Sequence, residues 1–282
     1  LLRPQIIIKL IEKIKELSIE YIFKIYIHFT TNGTVITKSL LEKLKDCNVS
    51  FQITIDGNII DHNAIRIRKI DGKGTYHSII ENIKRINAEL KSCFINVRIN
   101  FSNETFVQLE SLIHDLDFCD RKKTVLSLHK VWQVDGNSIN KSRLFEFIRY
   151  ANSKLFIVRF MGLNNRLGST CYADNYNQAV INYDGKVFKC TARDFIDKHS
   201  EGVLTKEGII NWKTDKLMDR LNIRIANNCK RCKLLPSCPG ICTQNRLESK
   251  NEILCALTND FTMQDYIIHN FNNKMIKAKI KT

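Results

Sequence analysis

Of the ten cysteines in this 282-residue chain, seven crowd into one stretch: Cys171, Cys190, Cys229, Cys232, Cys238, Cys242 and Cys255. No other feature limits the possible folds as much. Disulfides would need an oxidising compartment. The N-terminal Leu1-Leu2-Arg3-Pro4 lacks the charged region, long apolar segment and cleavage site of a secreted precursor. The expectation is a cytoplasmic protein, in which such a cluster reads as metal ligation. Seven thiolates are too many for one tetrahedral ion and enough for two centres. Cys47, Cys93 and Cys119 stand alone and read as small buried hydrophobes.

The spacing narrows the metal. Cys229 and Cys232 form the single Cys-x2-Cys pair, and Cys238, Cys242 and Cys255 follow at longer, unequal intervals. Zinc ribbons commonly use two such pairs, and no His lies at zinc-finger distance. Iron–sulfur clusters, usually held by four thiolates each, fit the pattern better. A zinc ribbon binding nucleic acid remains an alternative. Asp184-Gly185 between the segments 178–182 and 186–190 signals a β-hairpin. That turn carries Cys190 back beside Cys171, and Gly185 supplies the positive φ it needs. A second short β unit over 202–212, a helix over 214–224 and a last helix near 262–279 complete this half.

Upstream, the apolar period changes regularly. Ile7, Leu10, Ile11, Ile14 and Leu17 mark a helix, with Pro4 in its first turn. Strands are predicted over 21–29, 49–55, 94–101 and 125–131. Helices lie between them, with Thr37, Thr75 and Asn103 as caps; the third of these helices is marked by Phe106, Leu109, Leu112, Ile113 and Leu116. Residues 58–74 read as a loop and 142–152 as a helix. Alternation of this kind implies βαβ crossovers and a parallel α/β sheet. Four strands cannot close an eight-stranded barrel. The boundary with the cysteine-rich part falls between 153 and 171.

With these residues in view, the chain resembles two parts of one family. Cys171, the gap to Gly185-x4-Cys190, Cys229-x2-Cys232-x5-Cys238-x3-Cys242 and Cys255 match the pattern of the SPASM domain. Thr31-Asn32-Gly33, Gln52-Ile53-Thr54-Ile55-Asp56-Gly57, Gly72-Lys73-Gly74-Thr75 and Arg98-Ile99-Asn100 resemble successive strand-end segments of a radical SAM domain. The resemblance implies a partial (β/α) radical SAM barrel over 1–160, a SPASM domain over 165–260 and a C-terminal helix over 261–282. It implies two auxiliary 4Fe-4S clusters. Cys229, Cys232, Cys238 and Cys255 would hold the outer one, and Cys171, Cys190 and Cys242 the inner one, with an open iron or a borrowed fourth ligand. Asn32, Thr54, Arg98 and Asn100 fall at the strand ends that face S-adenosylmethionine in the family, and Asp56 is either a further group there or a turn cap.

The family's Cys-x3-Cys-x2-Cys motif and Gly-Gly-Glu-Pro motif do not occur. The expectation is a chain truncated at its N-terminus that cannot alone cleave S-adenosylmethionine. That cofactor and a third 4Fe-4S cluster would then belong only to an intact form. Family members of this type modify peptides or proteins by radical chemistry, and the stretch 180–194 is most like the maturases of ribosomally made peptides. Sulfatase-maturing members place Asp directly after the second cysteine; Thr191 stands there instead. A peptide or protein substrate is therefore the expected partner, with an N-terminal fragment or an electron donor as a further one. A non-catalytic electron-transfer or peptide-docking subunit is the alternative. The net charge of +15 comes from Lys and Arg scattered along the helices, which reads as solvated faces and not as a nucleic-acid patch. No apolar run is long enough to span a membrane.

Overall fold

The computed structural model describes residues 1, 3–102, 108–131, 139–160, 163, 171–238, 240–249, 255, 257 and 260–281. The chain divides into two compact units, Leu1–Asn164 with Gln264–Thr282, and Asn165–Met263.

The first unit is an α/β layer. Its elements run α1 (Pro4–Glu20), β1 (Tyr26–Thr31), α2 (Lys38–Leu44), β2 (Asn48–Ile55), α3 (Ile59–Ile65), α4 (Tyr76–Glu89), β3 (Cys93–Phe101), α5 (Leu109–Asp115), β4 (Thr124–Lys130), α6 (Lys141–Ser153) and β5 (Ile157–Phe160). Five strands pair in parallel in the order β1-β2-β3-β4-β5. The sequence reading found four strands. The fifth, Ile157-Val158-Arg159-Phe160, is too short to show a period beside the helix it follows, and its pairing with β4 defines it. The first strand lies later than predicted because α1 continues to Glu20 and the chain turns through Ile22 at φ 53°. Residues 59–65, read as loop, are helical: the Asn58 side chain accepts from the backbone N–H groups of Ile60 and Asp61. Thr75 does not cap α4, because its hydroxyl is engaged elsewhere; Asn63 Oδ1 accepts the Tyr76 N–H at 3.1 Å in its place. The expected cap Asn103 and the apolar Phe106 lie outside the described residues.

Alternation along β2 and β3 sorts the sheet into two faces. Val49, Phe51, Ile53 and Ile55 with Ile95, Val97, Ile99 and Phe101 are buried. The core is completed by Leu40, Leu41 and Leu44 of α2, Ile79, Ile83 and Ile86 of α4, Leu112 and Ile113 of α5, and Leu144 and Phe147 of α6, all buried. The opposite face carries Ser50, Gln52, Thr54, Asn96, Arg98, Asn100, Ser127, His129 and Arg159. Parallel sheets are ordinarily apolar on both faces. A polar face on one marks a surface prepared for something other than a packed helix.

The second unit begins its described part at Cys171. A four-stranded antiparallel meander, β6 (Val180–Ile181), β7 (Lys186–Phe188), β8 (Gly202–Leu204) and β9 (Ile210–Trp212), is followed by α7 (Thr214–Asn222), α8 (Asn227–Lys230) and α9 (Thr243–Glu248). Gly185, at φ 80°, closes the β6–β7 hairpin. The final helix, α10 (Met263–Lys281), returns to the first unit, where the Asn273 amide exchanges hydrogen bonds with the backbone of Val158 in β5. Among the described residues no helix is long and apolar enough to cross a membrane.

Candidate functional site

On the polar face of the parallel sheet, register sets Thr54, Arg98, Ser127 and Arg159 abreast on β2 to β5. Arg98 Nε donates to Asn100 Oδ1 at 3.1 Å, and Asn100 Nδ2 donates to Asp56 Oδ1 at 2.6 Å. Asp56 is buried, and its other oxygen pairs with Arg66 Nε. Arg66 thus neutralises the buried carboxylate and lets Asn100 fix the Arg98 stem. Next to this rung, Asn96 Nδ2 donates to Gln52 Oε1 at 3.1 Å, while Asn96 Oδ1 is buried without a partner. His129 is kept neutral: burial, then the Arg98 charge, lowers its pKa to about 4. The face therefore offers a neutral imidazole, a guanidinium and an unspent amide oxygen.

The four residues singled out from sequence do not all meet. Thr54 and Arg98 are cross-strand partners, and Asn100 follows on the same face of β3. Asn32 stands apart on the exposed turn after β1, where its Oδ1 accepts from the Thr34 N–H and hydroxyl at 3.3 and 3.0 Å. That turn is locked from behind. Gly33 adopts φ 72°, and a Cβ there would come within 2.6 Å of Ile53 Cγ2; buried Asn82 donates to its carbonyl at 2.8 Å.

Residues the sequence reading missed support the Asp56 corner. His62, fully buried, accepts the Asp56 N–H at Nδ1, so its proton sits on Nε2 and goes to Thr75 Oγ1 at 2.9 Å; Thr75 in turn donates to the Arg66 carbonyl at 3.1 Å. Burial lowers the His62 pKa and favours this neutral tautomer. The Asp-Gly-Asn run ahead of residue 59 was the available signal for a capped helix here.

In the second unit the cysteines form two groups. Cys171 lies within the electrostatic reach of Cys242 and Cys190, and Cys229 within that of Cys238, Cys255 and Cys232. Burial first raises both thiols; the Asp174 carboxylate and then the neighbouring cysteines add to this at Cys171, and the neighbouring cysteines at Cys229. Among the described residues no three His, Cys, Asp or Glu side chains close on a single metal ion.

Local bonds explain how distant thiols converge. The Tyr172 hydroxyl shares a 2.6 Å hydrogen bond with Thr191 Oγ1 and accepts the Thr191 N–H at 3.0 Å, clasping the neighbour of Cys171 to that of Cys190. Thr243, next to Cys242, donates to Asp174 Oδ2 at 2.9 Å. Arg193, within the fields of Cys190 and Cys242, is held by Glu248 and Asn245 of α9. In the other group, a Cβ on Gly240, at φ 92°, would lie only 3.5 Å from Cys229 Sγ. Arg246 acts on Cys229 and keeps a buried Nε without a partner. A donor set of clustered thiols with two neighbouring guanidiniums, one carrying an unspent N–H, fits a polyanionic thiolate-bound group. Cys93 and Cys119, by contrast, are pushed up to about 12 by burial and remain thiols.

Residues 1–116 match the model of the radical SAM superfamily. No curated protein matches the chain. Among solved structures it is similar to native anSMEcpe with bound AdoMet and Cp18Cys peptide, at 20% identity and a TM-score of 0.62, covering 97% of this chain and 81% of that one. The same protein with AdoMet and Kp18Cys peptide matches at 18% identity and the same score and coverage. A hexahistidine-tagged form of anSMEcpe with bound AdoMet matches at 19% identity and a TM-score of 0.62, covering 97% and 77%. At these identities the likeness is one of fold.

Proposed function

Proceeding from the radical SAM match over residues 1–116, we propose that the chain is a SPASM-type part of a peptide-modifying radical SAM enzyme, supplying the cofactor-facing sheet and two auxiliary 4Fe-4S sites. One observation carries this reading: seven thiols far apart in sequence sort in space into Cys171, Cys190 and Cys242 on one side and Cys229, Cys232, Cys238 and Cys255 on the other. Seven thiolates exceed what one tetrahedral ion takes and suit clusters, in which each thiolate binds its own iron.

When bound, S-adenosylmethionine and its cleaving cluster supply a 5′-deoxyadenosyl radical that removes a substrate hydrogen. The chain's own contribution is positioning. Arg98, its guanidinium held by Asn100, lies in register with Thr54 on the polar face, a pair suited to a carboxylate and a hydroxyl of the cofactor. Neutral His129 can accept or donate, and the Asn96 oxygen can accept, without adding charge. A peptide is the proposed substrate, as in the peptide-bound structures of anSMEcpe, and the net charge of +15 suits an acidic one. The Cys-x3-Cys-x2-Cys motif that would hold the cleaving cluster does not occur within residues 1–282, where Cys47, Cys93 and Cys119 lie far apart in sequence.

Iron and acid-labile sulfide after anaerobic reconstitution test the reading. Two four-iron clusters give about eight irons per chain, and Cys238→Ala leaves about four. The purified chain forms no 5′-deoxyadenosine from S-adenosylmethionine under reducing conditions. Zinc without sulfide, or seven thiols that titrate independently, would overturn it.

A further inference from the structure

At the heart of the second unit lies an ionic cluster that binds no thiol yet touches every segment carrying a thiol of the three-cysteine group. Arg220 of α7 is 3% exposed. Its Nε and Nη2 donate to Glu201 Oε1 at 3.2 and 3.1 Å. Glu201 Oε2 accepts the backbone N–H of Lys189 at 2.6 Å, one residue before Cys190. Arg220 Nη2 also donates to Gln244 Oε1, two residues after Cys242. Arg220 Nη1 faces Asp174 Oδ1 at 3.9 Å, three residues after Cys171, and the other oxygen of Asp174 accepts from Thr243. Lys189, fully buried, spends its ammonium on the carbonyls of Asn175, Tyr176 and Gln178, at 2.9, 2.7 and 2.7 Å, fixing the chain that follows Cys171.

We propose that Arg220 is a positioning residue for the three-cysteine site, its guanidinium setting the mutual placement of Cys171, Cys190 and Cys242. The inference rests on the cluster reading above and deepens it. A buried ion cluster contributes little net stability compared with apolar packing, because desolvation offsets attraction. What a planar fork does supply is fixed direction to two acceptors at once, Glu201 and Gln244, with its charge held beside Asp174. Lysine keeps the charge and loses the fork. Groups that orient metal ligands without touching the metal typically change affinity by roughly 10- to 100-fold when removed.

The experiment compares wild type, Arg220→Lys and a Cys190→Ala control after identical anaerobic reconstitution. Iron and sulfide per chain, the electron paramagnetic resonance spectrum of the reduced protein and the midpoint potential of each cluster are measured. In Arg220→Lys the iron falls from about eight towards about four, and the remaining signal is the one left in Cys190→Ala, with its potential unshifted. Retention of both clusters at unchanged potentials overturns the proposal while leaving the cluster reading intact. Wild type without iron and sulfide overturns both. If Arg220→Lys loses both clusters, Gln244→Ala, which removes a single arm, decides. Faster chelator stripping of the three-cysteine cluster alone supports the proposal, and stripping at the wild-type rate overturns it.

Discussion

At the residue scale, two kinds of side chain do most of the positioning: glycines where a Cβ has no room, and buried polar groups whose bonds are all specified. Gly33 is of the first kind. Its positive φ and the 2.6 Å approach to Ile53 predict that Gly33→Ala costs about 2–4 kcal/mol, from left-handed backbone and overpacking together. Urea denaturation followed by circular dichroism checks this. Thr75 is of the second kind. Thr75→Val leaves the buried His62 Nε2–H without its acceptor and the Arg66 carbonyl with only the backbone N–H of residue 75, an expected loss of about 1–3 kcal/mol. Asn32, Thr54, Arg98 and Asn100 were legible as strand-end residues because strand ends in parallel sheets carry ligand contacts. That Asn32 spends its side chain on its own turn was not legible, since the bond depends on local φ and ψ.

At the element scale, α10 and β5 are joined by buried polar contacts that make their packing sensitive to pH. His269 is buried, and burial lowers its pKa to about 4. A histidine in the unfolded chain titrates near 6.5. Between those values the unfolded state binds more protons than the folded one, so stability is full above pH 6.5 and falls as the pH drops towards 4. The loss amounts to at most about 3 kcal/mol from this residue. Denaturation midpoints measured from pH 7 to 4 should show it, and His269→Leu should flatten the slope over that interval. Helices α1, α2, α4 and α6 were readable because each carries its own apolar stripe. Helix α3 and strand β5 were not. The first owes its existence to the Asn58 cap, and the second to pairing with β4.

At the scale of the molecule, the two units differ in what sustains them. The first has a continuous aliphatic core beneath five strands. Among its described residues the second has strands of two or three residues and few buried apolar side chains, such as Ala173, Val187, Phe188, Leu217 and Leu234. A domain of that size with so small a core usually needs a staple, and bound metal links its binding energy to folding. Stripping iron with a chelator under reducing conditions should therefore open 165–263 to proteolysis while 1–160 stays resistant. Equal resistance of both units after complete removal would show that the second does not depend on the proposed clusters to fold.

The sequence alone determined that a parallel α/β layer precedes a cysteine-built unit, and that the cysteines number enough for two centres. Both follow from local information: apolar period and ligand count are written along the chain. Tertiary structure decided that Asp56 is an ion-pair partner of Arg66, and that Arg220 meets Glu201, Gln244 and Asp174. Those pairings join residues separated by long stretches of chain, and hydrogen-bond direction, unlike periodicity, exists only once the backbone has brought its partners together.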